Sequence, residues 1–206
     1  MSALCERDPD ITIIIPVYNL EQFITPMLDS LKRQDFGDYK AEIIFVDNNC
    51  TDGTVDVIRK SGLDCQIIPC ATQGCGPARN AALDIARGTY IWMMDGDDWL
   101  LTDTAVRDVL DTIDGDILRI PFDSDLYLCD YYSMVWQYVL RREFVEEFRF
   151  PDYQPAEDDA YMAAVLMKAG YFGRHLALPK IDEALYYYNY MRDGSNMNRV
   201  SRGERI

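Results

Sequence analysis

The chain has 206 residues, 49% of them hydrophobic and 27% charged, with 35 acidic against 20 basic side chains for a net charge of −15. That length suits one domain with a substantial core, and the composition is globular rather than disordered. The acidic excess argues against broad contact with a nucleic-acid backbone and gives no attraction to an anionic membrane surface. The six cysteines (Cys5, Cys50, Cys65, Cys70, Cys75, Cys129) contain no Cys-x-x-Cys pair and read as reduced thiols. The N-terminus lacks the apolar segment of a signal peptide, and no window approaches 18 uncharged apolar residues, so a cytoplasmic location is expected.

In chain order, Ile11–Val17 is a β-branched run, apolar on both faces, which predicts a central parallel strand. Leu20, Phe23, Ile24, Met27, Leu28 and Leu31 then fall at helical spacing, and Pro26 is tolerable there only in the first turn. A second strand covers Glu42–Val46 and ends on Asp47, followed by a turn over Asn48–Thr54 whose residues cap helices and tolerate unusual φ. A short helix runs to about Lys60 and stops at Gly62. A third strand is expected over Cys65–Pro69. A helix opens at Gly74-Cys75-Gly76-Pro77, with proline at its first position and Gly88 as its stop. Tyr90–Met94 is the fourth strand.

Beyond it the pattern is less regular. Asp103–Thr112 reads as an amphipathic helix, Asp116–Phe122 as a strand, Asp123–Tyr132 as a surface loop and Met134–Phe148 as an aromatic-rich helix. Ala160–Ala169 is an apolar helix stopped by Gly170, and Ala184–Tyr190 a tyrosine-rich strand. Alternating strands and helices argue for a parallel sheet, in which ligands sit beyond the carboxyl ends of the strands. Those ends carry Val17-Tyr18-Asn19, Asp47-Asn48 and Asp95-Gly96-Asp97. Asp95, Asp97 and Asp98 place three like charges within four residues; a hard divalent cation would relieve the repulsion, and so would solvation of an acidic turn.

The ordered set Ile13-Ile14-Ile15-Pro16-Val17-Tyr18-Asn19, Val46-Asp47-Asn48-Asn49-Cys50-Thr51-Asp52-Gly53-Thr54, Gly76-Pro77-Ala78-Arg79-Asn80 and Met94-Asp95-Gly96-Asp97-Asp98-Trp99 resembles the family 2 glycosyltransferases of GT-A fold. Trp136 through Phe144, Phe150-Pro151, Glu157-Asp158-Asp159 and Tyr190 through Ser195 follow in the family's order, so the resemblance spans about residues 11–200. It implies a GT-A (Rossmann-like) three-layer α/β/α sandwich with a mixed, mainly parallel sheet, in one domain over 1–206. About 1–100 would bind the nucleotide sugar and about 101–206 the acceptor. The implied activity is inverting transfer of a sugar from a UDP- or GDP-sugar to a carbohydrate or other hydroxyl acceptor, with Mn2+ or Mg2+.

The resemblance also assigns roles. Tyr18 and Asp47 would hold the base, with Pro16, Val17, Asn19 and Glu21 around them, and Arg79 would approach the base or phosphates. Asp95 and Gly96 would meet the ribose, Asp97 would ligate the metal bridging the diphosphate, and Asp98 would assist or cap the next helix. Asp158 would be the base that takes the acceptor proton, with Glu157 beside it contacting substrate. Trp136 would stack on an acceptor sugar. Two features depart from the family pattern: Arg192 stands about where a metal-binding histidine is common, with the only histidine, His175, outside any motif, and the chain after the tail motif is short. Acceptor contacts are then expected mostly from about 123–153. A nucleotidyltransferase and a degenerate sugar-nucleotide or glycan-binding module are the competing readings, the first weakened by the lack of a glycine-rich basic loop after Val17.

Overall fold

The computed structural model describes residues 7–124, 134–152, 157–170, 181 and 183–189. Its central sheet has the order β3-β2-β1-β4-β8-β6. Strands β1 (Ile11–Val17), β2 (Ala41–Asp47), β3 (Gln66–Pro69) and β4 (Tyr90–Met93) run parallel, whereas β8 (Tyr138–Arg141) lies antiparallel between β4 and β6 (Ile117–Arg119). A smaller sheet joins β5 (Trp99–Leu100), β9 (Tyr186–Tyr188) and β7 (Phe122–Ser124).

Period-2 alternation divides the core into two layers. From β1, Ile11, Ile13, Ile15 and Val17 pack with α1 (Thr25–Lys32), α2 (Thr54–Lys60) and α4 (Ala105–Thr112), through residues such as Met27, Leu31, Ile58, Val106 and Val109. Ile14 of the same strand points the other way, to Ala78 and Ala82 of α3 (Cys75–Leu83), Val145 of α5 (Arg142–Val145) and Tyr161, Met162 and Val165 of α6 (Glu157–Lys168). Helices on both faces of a mainly parallel sheet give the expected three-layer sandwich. Pro26 sits in the first turn of α1, where its missing N–H costs no helical bond.

Several boundaries differ from the sequence reading. Helix α3 begins at Cys75 and ends at Leu83, so Gly88 is not its stop; the Gly88 amide instead donates to Thr12 Oγ1 at 2.8 Å, beneath the start of β1. The strand expected over Asp116–Phe122 is two strands, β6 and β7, which part at Ile120-Pro121 and enter different sheets. The helix expected over Met134–Phe148 is a 3-10 turn (Val135–Gln137), then β8, then the one-turn α5. Tyr138, Val139 and Leu140 are buried on both faces of the sheet, and such a run is apolar throughout whether helix or strand carries it. Cys5, Cys129, His175, Tyr190, Arg192 and most of the 123–132 loop lie outside the described residues.

Candidate active site

The C-terminal ends of the parallel strands lie level with one another: Val17 pairs with Asp47, Asp47 with Pro69, and the Met94 amide donates to Ile14 O. Tyr18, Asp47 and Asp95 therefore share one edge, as expected. Tyr18 is half exposed. Asp47 Oδ1 accepts the Cys50 amide at 2.8 Å.

Short polar ties hold this edge. Asn19, at φ +51°, accepts the Thr51 amide at 2.8 Å; Glu21 Oε2 accepts the Gly53 amide at 2.9 Å; Asp52 accepts the amides of Glu21 and Thr54. Thr54 Oγ1 in turn accepts the Leu20 amide. The carboxylate of Glu21 and the amide oxygen of Asn19 are thus spent on joining two loops rather than open to a ligand. Pro16 and Val17 are buried, and Val17 O accepts the Asn48 amide. These four residues shape the edge on which Tyr18 and Asp47 stand.

The Asp95–Asp98 turn is pressed against the same edge. A Cβ on Gly96 would come within 2.7 Å of Leu20 Cδ1 and 3.1 Å of Val17 Cγ1, so a larger residue there would have to displace these side chains. The three aspartates separate in environment. Asp98 is buried: it accepts the Tyr186 hydroxyl at 2.5 Å and the Asn189 amide at 2.8 Å, and burial, with Asp97 and Asp95 nearby, pushes its carboxyl well above the usual range. It does not cap α4, which begins after Thr104. Tyr186 also accepts the Asp95 amide, and Asn189 Nδ2 donates to Asp97 O. Tyr186 and Asn189 thus clamp the turn, a role the sequence hinted at only through a tyrosine-rich run.

At the corner between α3 and α6 lies a cluster of buried charge. Arg79 is 2% exposed. Its Nη1 donates to Asp158 Oδ1 at 2.5 Å and its Nη2 to Asp95 Oδ1 at 2.8 Å, while Glu157 Oε1 stands 4.0 Å from Nη1. The guanidinium lies over the Phe150 ring at 5.3 Å. Arg79 is therefore engaged by carboxylates and is not an open cation reaching for a base or phosphate. Gly76 makes the corner possible, because a Cβ there would meet Pro151 O at 2.8 Å.

Burial pushes the Asp158 carboxyl up to about 6; the Arg79 guanidinium opposes this, and Asp95 and Glu157 reinforce it. The Val135 amide approaches Asp158 Oδ2 at 3.4 Å. A carboxyl balanced near neutral pH suits a group that accepts a proton. Cys75 borders the cluster, but burial pushes its thiol up to about 12, which leaves it inert.

Trp136 is 1% exposed, stacked with Tyr186 and Tyr188 and edge-on to Phe122, and its backbone oxygen accepts Trp92 Nε1. It is a core residue joining the two sheets, and the expected stacking on an acceptor sugar is corrected accordingly. Among the described residues no three His, Cys, Asp or Glu side chains converge to hold a metal ion. A hard cation of the Mg2+ type is commonly held by one or two carboxylates together with substrate phosphates; with Asp98 turned inward, Asp95 and Asp97 are the carboxylates of this turn that are not buried.

The family model described as glycosyl transferase family 2 matches residues 12–162. The chain belongs to this family. Among curated family members, the uncharacterized glycosyltransferase EpsJ of Bacillus subtilis is 28% identical over 87% of this chain and 61% of its own. Staphylococcus aureus TarS, a poly(ribitol-phosphate) beta-N-acetylglucosaminyltransferase, is 34% identical over 53% of this chain and 20% of its own. The crystal structure of TarS 1-349 in complex with UDP-GlcNAc superposes with a TM-score of 0.78 at 25% identity, covering 92% of this chain and 60% of that one. A Pyrobaculum calidifontis mannosyltransferase in complex with GDP-Man and Mn2+ shares the fold, with a TM-score of 0.71 at 22% identity. The chain thus spans about three-fifths or less of the length of these relatives.

Proposed function

We propose that this family 2 chain transfers a sugar from a nucleoside-diphosphate sugar, with a UDP-sugar favoured, to an acceptor hydroxyl by direct displacement with inversion. The observation that carries the reading is the pair of carboxylates joined through Arg79: Asp95 on the strand edge beside Tyr18 and Asp47, and the partly buried Asp158 with its carboxyl raised to about 6. The likeness to TarS bound to UDP-GlcNAc supports the choice of donor.

In this reading Tyr18 stacks on the base, Asp47 accepts a base N–H through Oδ2, and Asp95 accepts the ribose hydroxyls. Asp97 would hold Mn2+ or Mg2+, and that cation would supply positive charge to the departing diphosphate. Asp158 removes the acceptor hydroxyl proton as the new O–C bond forms at the anomeric carbon and the C–O bond to the diphosphate breaks. The proton ends on Asp158 and the electron pair on the nucleoside diphosphate.

The chain acts as one domain in this account, since β8 from the second half inserts beside β4 in the sheet of the first. No helix among the described residues is long and apolar enough to cross a membrane. The free thiols of Cys50, Cys65, Cys70 and Cys75 fit a reducing cytoplasm. The test is a panel of nucleotide sugars with Mn2+, read by melting temperature and by release of nucleoside diphosphate. A rise in Tm with UDP or a UDP-sugar, followed by slow turnover, is expected. No shift with UDP, GDP or their sugars overturns the donor assignment, and release of pyrophosphate instead of nucleoside diphosphate overturns the reaction type.

A further inference from the structure

Arg79 stands between the two carboxylates to which the proposed reaction gives different tasks, and the surrounding contacts fix it there. Its side chain is 3% exposed, against 30% for Asp95 and 24% for Asp158. Its neighbour Asn80 holds both backbone groups of Phe150: Nδ2 donates to Phe150 O at 2.8 Å and Oδ1 accepts the Phe150 amide at 2.9 Å. Phe150 in turn lies under the guanidinium and stacks on Tyr161 of α6 at 3.9 Å. Two consecutive residues of α3 therefore lock α6 to the sheet edge, one through its charge and the other through neutral hydrogen bonds.

The geometry points to Arg79 as a positioning residue: its two terminal nitrogens fix Asp158 relative to Asp95, so that a donor held by Asp95 finds the proton acceptor already in place. The inference rests on the transferase reading, and it replaces a direct contact of Arg79 with the nucleotide. The guanidinium is planar and forked, and Nη1 and Nη2 serve different carboxylates. A lysine ammonium carries the same charge on a single nitrogen and has no such fork. The groups around Asp158 are Arg79 and Cys75 on α3, Asp95 after β4, Glu157 on its own helix and the Val135 amide before β8. Arg79 is the cation among them, and with the Val135 amide it favours the carboxylate form over the proton-bearing one.

The test uses the full chain with Arg79→Lys and Arg79→Gln. Neither side chain can bridge Asp95 and Asp158 as the fork does, so kcat should fall about 100-fold, the scale set by misplacement of a catalytic group. The Kd for UDP with Mg2+ should stay within about threefold, since Tyr18 and Asp47 hold the base apart from Arg79, and Asp95 keeps its place after β4. In Arg79→Gln the Asp158 carboxyl, followed by 13C NMR, should titrate about one unit higher than in the wild type. A Kd raised about tenfold or more with kcat preserved would instead assign Arg79 to nucleotide binding and overturn the proposal.

Should both variants fail to fold, the wild-type protein still decides. The Arg79 guanidinium resonances should titrate with the same midpoint as Asp158, and the co-titration should vanish in Asp158→Asn. Guanidinium resonances that do not follow the Asp158 midpoint overturn the proposal. This NMR arm needs no turnover. A wild-type protein that shows the co-titration yet turns over no nucleotide sugar would overturn the transferase reading and leave the Arg79–Asp158 pairing standing.

Discussion

The loops after β1 and β2 and the corner between α3 and α6 both line the carboxyl edge of the sheet, yet they are held by different means. Between 17 and 54, Asn19, Glu21, Asp52 and Thr54 form several hydrogen bonds to backbone amides in a half-exposed setting. Each is worth about 1 kcal/mol, and removing one leaves others in place. At the corner, one buried guanidinium faces Asp95, Glu157 and Asp158. Burial there raises every electrostatic stake, and among the described residues Arg79 is the one cation paired with these carboxylates. The loop edge is a redundant frame; the corner rests on that one guanidinium.

The largest expected effect follows from removing the proposed base at the corner. Asp158→Asn should lower the turnover number by about 10²–10⁴-fold, the range for a general base, while the Tm rise with UDP and Mn2+ persists. Retained turnover would remove Asp158 from the chemistry and erase the functional difference between the two regions. Next comes Arg79→Ala, which leaves three carboxylates facing one another in a buried corner. It should cost about 3–5 kcal/mol of stability, measured by urea unfolding. A cost near 1 kcal/mol would mean that the corner is no more dependent on its charge than the loops are.

pH should separate the regions in a third way. The Asp158 carboxyl rises from 3.8 to about 6 on folding, so the folded chain holds this proton where the unfolded chain has released it. Its contribution to stability is therefore full below about 3.8 and is lost as pH climbs toward about 6. Proton abstraction needs the opposite form. The rate should rise about tenfold per pH unit on the acid side and level off above about 6. Activity and this share of stability then move in opposite directions across one interval, and Asp158→Asn should abolish both slopes. A rate profile flat from pH 4 to pH 7 would contradict the assignment.

The same division explains what the sequence reveals. Ile11–Val17, the Pro26 turn, Asp47 at the end of β2 and Gly62 after α2 are all local patterns, and each stands where its pattern puts it. The donor edge is legible because its contacts are made by turn residues whose chemistry is itself local. The corner is assembled over distance: Arg79 meets Asp95 across 16 residues and Asp158 across 79. The motif marks Arg79 but not its partners. Asp95, Asp97 and Asp98 look alike in sequence, and Asp98 is withdrawn from the site only because Tyr186, 88 residues later, buries it. Trp136 and the 138–141 run fail for a related reason. Their apolar pattern fits a helix as well as a strand buried on both faces, and only pairing with β4 and β6 decides.

Two smaller perturbations sharpen the contrast from the donor side. Tyr18→Ala removes a half-exposed ring outside the buried core, so unfolding should be unchanged within about 0.5 kcal/mol. UDP binding, followed by calorimetry, should weaken by about 1–3 kcal/mol if the ring stacks on the base. Asp52→Ala is the mildest case. It deletes the acceptor for the Glu21 and Thr54 amides, but Glu21 still reaches Gly53 and Thr54 Oγ1 still accepts the Leu20 amide. The expected cost is about 1 kcal/mol of stability with kcat unchanged, because solvent can satisfy the freed Glu21 amide while the buried Thr54 loses the Asp52 acceptor of its amide and hydroxyl. A cost as large as that of Arg79→Ala would show that the loop ties act as one cooperative unit, and that redundancy is not what distinguishes the donor edge from the charged corner.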